Sequence, residues 1–412
     1  MKKISFIHIG DIHCGIIDPY LGEIDVQDST FPLDFLNIGR EENKYSIIKR
    51  RLISELRANS YRFICFSGDL SNKGEQKNYE KCILFFSKHI PKQICAADSP
   101  KRIFIVPGNH DIAEAENVND SCKKFEPIVK ILQKYGFPTI PINDAIIEEM
   151  FEKDAGNVLI CALNSCILSR TKNQTSGEVV DYPKILDTDI KKLQIAIKQL
   201  NANGKNFCLL ILSHHNLLPQ KIPRIKQYAE LLNAGNFRES LLSFNIPILY
   251  LHGHIHDNPV EVISCPVHLN SKLVLSSAPL LLPTKENGGK NKFGYAKIDI
   301  LYSDDQIPLG CQLNFITNNE DDEKILPIKF FNPFYADRHL NQIDKELLIS
   351  LRSLPTPIYV SDLITHLTGR SIHYSSEELQ ESVERLYWYG LIDYRICEND
   401  NFKSRIIKAV IP

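Results

Sequence analysis

Six short runs rich in Ile, Val, Leu, Phe and Cys occupy residues 4–9, 63–66, 103–106, 158–163, 207–212 and 246–251, and five of them end in chemically loaded residues. Apolar runs of this length without polar alternation read as strands buried on both faces. Between residues 45 and 57, Ile48, Leu52 and Leu56 recur four apart among polar residues, which is helical spacing. Buried strands separated by such helices predict an α/β layered fold. Further strands are predicted over 268–276 and 294–300, joined by a loop at 283–292 that carries Asn287-Gly288-Gly289.

The strand endings carry the chemistry. They read Gly10-Asp11-Ile12-His13, Gly68-Asp69, Gly108-Asn109-His110-Asp111, His214-His215 and Gly253-His254-Ile255-His256. In open α/β sheets ligands gather outside the carboxyl ends of the strands, so these groups are expected around one pocket. Asp, His and Asn together suit divalent Mn, Fe or Zn; an all-oxygen set would suit Mg or Ca, and thiolates a structural zinc. At least seven such groups exceed the needs of one ion. Two metals about 3.5–4 Å apart, sharing a bridging carboxylate and a bridging water, would use them all, generate hydroxide near neutral pH and clamp a phosphate for in-line displacement.

The ordered set D-x-H, G-D, G-N-H-D, H and G-H-x-H, spread over residues 4–256, resembles the calcineurin-like metallophosphoesterase superfamily. The resemblance implies a four-layer αββα sandwich. It also implies that Asp11, His13 and His256 hold one metal, that Asn109, His214 and His254 hold the other, and that Asp69 bridges them. His110 would stabilise the transition state and protonate the leaving oxygen, with Asp111 orienting its imidazole. His214 and His215 both remain open as the ligand of their block; the resemblance favours His214, with His215 behind it. His252 reads as a strand-end residue and His8 as a core histidine with its hydrogen bonds satisfied. Manganese is the first choice of metal, with iron and zinc as alternatives.

Gly68 to Gly74, Val106 to Asp111, and Leu163-Asn164-Ser165 with the later Gly177 are similar to class III cyclic-nucleotide phosphodiesterase-like proteins, which implies a phosphodiesterase. One alternative is a DNA or RNA nuclease similar to that of double-strand-break repair complexes. Another is a subunit of a larger assembly whose metal domain is mainly structural, although intact His110 and Asp111 argue against lost catalysis. The long inserts 14–44 and 112–157 follow motif-bearing strands and are expected to shape the substrate pocket.

A catalytic domain is expected over 1–317, then an acidic and proline-containing linker over 318–335. Residues 336–412 carry helical patterns at 344–354, 360–367 and 375–389 followed by two short strands at 391–396 and 404–411, which resembles a winged helix-turn-helix. The whole chain has 48 Lys plus Arg against 50 Asp plus Glu. The tail has nine basic and eleven acidic residues, leaving 39 of each before it. Its third helix carries Glu377, Glu378, Glu381 and Glu384, where a DNA-reading winged helix would enter the major groove. Carboxylates repel phosphates. The tail is therefore expected to be a protein-interaction or homo-oligomerisation module, with Tyr387-Trp388-Tyr389 in its core. The basic residues Lys49, Arg50, Arg51 and Arg57 read as a solvated helix face.

No apolar run approaches the roughly 20 residues of a membrane span. Lys2 and Lys3 are followed too soon by His8 and Asp11 to read as a secretory signal. The eleven cysteines include no C-x-x-C pair and several lie inside strand-like runs, which predicts reduced, buried thiols. A soluble cytoplasmic enzyme acting on a phosphate ester, of a nucleotide or a nucleic acid, is the expectation.

Overall fold

The structure is a computed structural model that describes residues 1–14, 44–58, 61–71, 74, 76–90, 102–112, 121–153, 155–169, 171–172, 179–180, 182–219, 230–255, 259–264, 272–279, 294–317, 323–330, 339–355, 357–370, 372–395, 402 and 405–410. Most of the insert 14–44 and part of the insert 112–157 lie outside them, as does the loop 283–292.

The chain lays down β1 (Lys2–Ile9), β2 (Phe63–Phe66) and β3 (Ile103–Ile105), then β4 (Ile146–Glu152), β5 (Gly156–Ala162), β6 (Cys208–Leu212), β7 (Ile248–His252), β8 (Val260–Ser264) and β9 (Lys272–Ser277). It then returns with β10 (Gly294–Tyr302), β11 (Pro308–Thr317) and β12 (Lys324–Lys329). These form two six-stranded sheets, ordered β12-β11-β10-β1-β2-β3 and β8-β9-β7-β6-β5-β4. Strands β1, β2 and β3 are parallel, as are β5, β6, β7 and β9, while the outer strands are added antiparallel. The central strands β5, β6 and β7 are buried at every position, which is why their sequences are apolar without alternation.

Each sheet buries one face against the other and one against helices. Phe6, Phe63, Val158, Leu210, Leu249 and Ile298 fill the space between the sheets, and the Phe6 and Phe63 rings stack 4.4 Å apart. Helices α1 (Lys44–Ala58), α2 (Gln76–His89) and α3 (Glu126–Lys134) cover the first sheet, with Ile48, Leu52 and Leu56 packed with Ile7 and Ile9. Helices α4 (Asp187–Ala202) and α5 (Ala234–Ser243) cover the second through Leu193, Ile197, Phe237 and Leu241. The result is helix, sheet, sheet, helix. Each fully buried Leu, Ile or Phe contributes about 1.5–3 kcal/mol, so this apolar layer holds the two sheets together while their loops carry polar groups.

The linker expectation needs correction. Lys324–Lys329, inside the expected 318–335 segment, is the edge strand of the first sheet, paired antiparallel with β11. Pro327 disguised it, but an edge strand has one row of N–H groups with no ladder to complete and tolerates proline.

Beyond it lie α6 (Gln342–Ser353), β13 (Ile358–Tyr359), α7 (Val360–Gly369), α8 (Ser376–Trp388), β14 (Ile392–Arg395) and β15 (Ile406–Ala409), the strands ordered β13-β15-β14. The expected hairpin thus gains a third short strand. Asn341 caps α6 and Ser375 caps α8, each accepting from the backbone N–H three residues on. This unit shares a core with Leu301 and Leu309 at the β10–β11 turn. The expectation that Trp388 and Tyr389 belong to that core holds, since both are buried. Seven cysteines are described as free, and all are buried.

Candidate metal centre

Four of the residues singled out in the sequence sit in the left-handed backbone region: Asp11 (φ 49°), His13 (47°), Asp69 (51°) and His254 (71°). Each such non-glycine residue costs roughly 1–3 kcal/mol, a strain that folds retain mainly where a site needs it. The strain lies where β1, β2 and β7 end and the chain turns sharply over the sheet edges. Two glycines make room. Gly68 has φ 99°, and a Cβ on Gly108 would lie 2.0 Å from Asp69 Oδ1.

These turns bring together groups from distant parts of the chain. Asp69 Oδ2 lies 3.6 Å from His13 Nε2 and 3.3 Å from His214 Nε2. One carboxylate oxygen thus faces histidines assigned to both metals, the geometry a bridging ligand requires. Its Oδ1 accepts the His110 backbone N–H at 2.9 Å. Asn109 Oδ1 stands between His214 Nε2 at 2.9 Å and His254 Nδ1 at 3.1 Å. The Asp11 carboxylate accepts the backbone N–H of His254 at 2.9 and 3.1 Å, which ties β1 of one sheet to β7 of the other.

The donor set fits a cation. His214 Nδ1 lies 2.8 Å from the Ser67 carbonyl oxygen, which can only accept, so Nδ1 carries the proton. Nε2 is then a bare lone pair facing the oxygens of Asn109 and Asp69. Asp69 Oδ2 is buried and makes no hydrogen bond among the described residues. Three converging acceptors repel unless a positive charge sits among them. Without a metal, a proton fills that role: burial works to lower the His214 pKa, but above all the neighbouring Asp69 charge lifts it to about 9. Burial works to raise Asp69, yet His214, His110 and His13 hold it well below the usual carboxylate range. Ligand atoms of Asp11, Asp69 and His214 lie within 4.8 Å of one another, as do those of His13, Asp69 and His110, and those of His214, His215 and His254. His256, expected to complete the first metal's ligands, lies outside the described residues.

Other expectations change. Asp111 was expected to orient the His110 imidazole, but its oxygens accept the backbone N–H groups of Ser71 and Gly108, each at 2.9 Å. Tyr79 Oη donates to the Asp111 carbonyl. Burial and the nearby Asp69 charge push the Asp111 pKa up, against those backbone hydrogen bonds. Its contacts splice the loop after β2 to the loop after β3, so it sets His110 through the backbone. The half-buried His110 ring stands 4.9 Å from that of His13, edge to face.

His215 has its Nδ1 2.9 Å from Ser165 Oγ, and its carbonyl accepts from Tyr250 Oη at 2.6 Å. Burial, with the charges of His254 and His214, pushes its pKa well down. Its ring lies 4.6 Å from that of His254, and its ligand atom shares a 4.8 Å cluster with those of His214 and His254. His8 is buried, but neither ring nitrogen finds a partner among the described residues, contrary to the expectation of satisfied hydrogen bonds. Burial and the adjacent His252 lower its pKa to about 3. Sequence reading missed the Ser67 carbonyl and the Tyr79 and Tyr250 hydroxyls, because each reaches the site through tertiary packing.

The family model described as calcineurin-like phosphoesterase matches residues 4–258, which includes every one of these turns. The chain belongs to that family. Calcineurin-like phosphoesterases use two divalent metals, and the clusters around Asp69 are the candidate ligands here. The fold is similar to that of a dimetal phosphatase from Danio rerio, at 11% identity over 80% of this chain and 100% of that one, with a TM-score of 0.49. It is also similar to GAP50, the anchor in the inner membrane complex of Plasmodium, at 11% identity over 82% and 94% of the two chains, with a TM-score of 0.45. No curated protein matches the sequence. This calcineurin-like phosphoesterase is a metal-dependent phosphoester hydrolase, and none of its described helices is long and apolar enough to cross a membrane.

Proposed function

We propose that this phosphoesterase is a phosphodiesterase acting on small diesters. The observation that carries the hydrolytic reading is the convergence of His214 Nε2, Asn109 Oδ1 and Asp69 Oδ2 on one point, with the half-buried His110 ring beside it. Bound metals there supply an acidified water as nucleophile and positive charge to hold the phosphate oxygens. Asp11, His13, Asp69, Asn109, His214, His254 and His256 would hold them, with Asp69 as the shared ligand. The half-buried His110 gives its proton to the leaving oxygen, since an alkoxide is a poor leaving group. Asp111 positions His110 by fixing its loop. Manganese is the proposed metal.

The diester reading over the nuclease alternative is supported by the tail. Residues 336–412 form the proposed winged-helix-like unit, and α8 would be its reading helix. Glu377 and Glu378 are exposed on that helix. Glu384, Tyr387 and Trp388 instead line a cavity against Leu301, Gln312 and Pro327 of the catalytic domain. A helix with exposed carboxylates on one side and the catalytic domain on another is a poor match for a DNA groove. A protein contact suits it better.

The test is hydrolysis of bis-p-nitrophenyl phosphate, p-nitrophenyl phosphate and labelled DNA with added Mn. Cleavage of the diester above the monoester, with DNA intact, is expected. Degradation of DNA with the small diester untouched would put the nuclease first; no cleavage and no metal uptake would sink the enzyme reading.

A further inference from the structure

A cavity of about 440 Å³ lies where the tail meets the first sheet, lined by Lys3, Gln312, Glu384, Tyr387, Trp388 and Tyr394 among others. It is no part of the metal centre. Lys3 is near the start of β1 (Lys2–Ile9) and Asp11 follows its end, so the rest of the strand, roughly 20 Å, separates the two. Its volume lies in the range of about 300–1,000 Å³ typical of small-molecule pockets, which favour seams between domains.

The lining has the two elements a flat heteroaromatic ring needs. Aromatic surface comes from Tyr387, whose ring lies 4.7 Å from that of Tyr394 and 5.5 Å from that of Trp388. Lys329 Nζ sits 3.8 Å above Tyr387, held also by Asp393 at 3.4 Å, and fixes that ring in place. Polar recognition comes from Glu384 on α8 and the Gln312 side chain on β11. Among the described residues Glu384 accepts one long hydrogen bond, from Gln380 Nε2 at 3.4 Å, so its carboxylate retains acceptor capacity. A carboxylate with two acceptor oxygens selects a ring edge that presents two adjacent N–H donors. Lys3 reaches the same space but is paired with Asp299 at 2.8 Å, so an anionic group is not required.

We propose that this seam is a binding site for a planar heterocyclic base with paired N–H donors, of which guanine is the simplest example. The base stacks on the tyrosines and hydrogen-bonds to Glu384. Since α8 and β11 both line the cavity, such a ligand bridges the tail and the catalytic domain. The inference is independent of what the metal centre hydrolyses.

Trp388 is the chain's single tryptophan and lines the cavity, so its fluorescence reports occupancy. Guanosine serves as probe because it carries no phosphate, and a chelator keeps the metal centre empty. Titration of the full chain with guanosine is expected to change Trp388 emission saturably in the micromolar to millimolar range. Adenosine, which places an acceptor where guanine has a donor, should bind at least about tenfold more weakly, and Glu384→Gln should weaken guanosine by a similar factor. Thermal melting of Glu384→Gln checks that it folds, and equilibrium dialysis repeats the wild-type measurement without using fluorescence. No saturable binding by either method, or equal affinity for guanosine and adenosine, overturns the proposal.

Discussion

At the scale of single residues the site is a problem of acceptors. His214 Nε2 faces Asn109 Oδ1 at 2.9 Å and Asp69 Oδ2 at 3.3 Å, and only a cation relieves these acceptors. Asp69→Ala removes the proposed bridging group, and loss of metal uptake, measured by elemental analysis, is expected together with a fall in activity of about 10³-fold or more. His110→Ala should lower kcat by about 10²–10⁴-fold. The loss should be smaller for p-nitrophenyl esters, whose leaving group needs little protonation, than for alkyl esters; equal losses would remove His110 as the proton donor. His8 offers a separate test. Its folded pKa of about 3 lies below the roughly 6.5 of an unfolded histidine, so between those values the unfolded chain binds the extra proton. The stability this contributes is complete above about pH 6.5 and is lost as pH falls toward 3. His8→Leu should flatten that acid slope by up to about 1.4 kcal/mol per pH unit, read from urea unfolding at pH 7, 6, 5 and 4.

Between elements, one buried pair fastens the tail's own helices. Arg385 on α8 donates to Asp344 on α6 at 3.1–3.3 Å, and Ser382 donates to the same carboxylate. The Asp344 and Arg385 side chains are 1% and 11% exposed, so neither charge has water to fall back on. Asp344→Ala should destabilise the tail by roughly 3–5 kcal/mol, followed by Trp388 fluorescence in denaturant. Pairing it with Arg385→Leu should recover part of that loss; no recovery would mean that Asp344 acts through its cap on α6 instead. The same scale explains what was legible in the chain. Helices such as Lys44–Ala58 and strands such as Phe63–Phe66 followed from local periodicity, because each buries a complete face. Lys324–Lys329 did not, because its pairing partner rather than its own pattern makes it a strand.

For the whole molecule, two sheets must close on each other before any metal can bind, since β1 and β2 bring Asp11 and Asp69 from one sheet while β6 and β7 bring His214 and His254 from the other. Metal binding therefore adds to folding stability. Saturating Mn at about 1,000 times its Kd should contribute about 4 kcal/mol, seen as a fall in Tm on chelation that Asp69→Ala does not show. Five strand-end blocks, read in order, were enough to point to the family and to name candidate metal ligands, because the required donor types are written directly as side chains. The tertiary structure alone decided what those side chains touch. It gave Asp111 to the loop backbone, left the His8 ring without a hydrogen-bond partner among the described residues, and turned the glutamate-bearing α8 toward the catalytic domain. Each of these depends on contacts between segments far apart in the chain, and no local pattern of residues encodes which distant surface a side chain will meet.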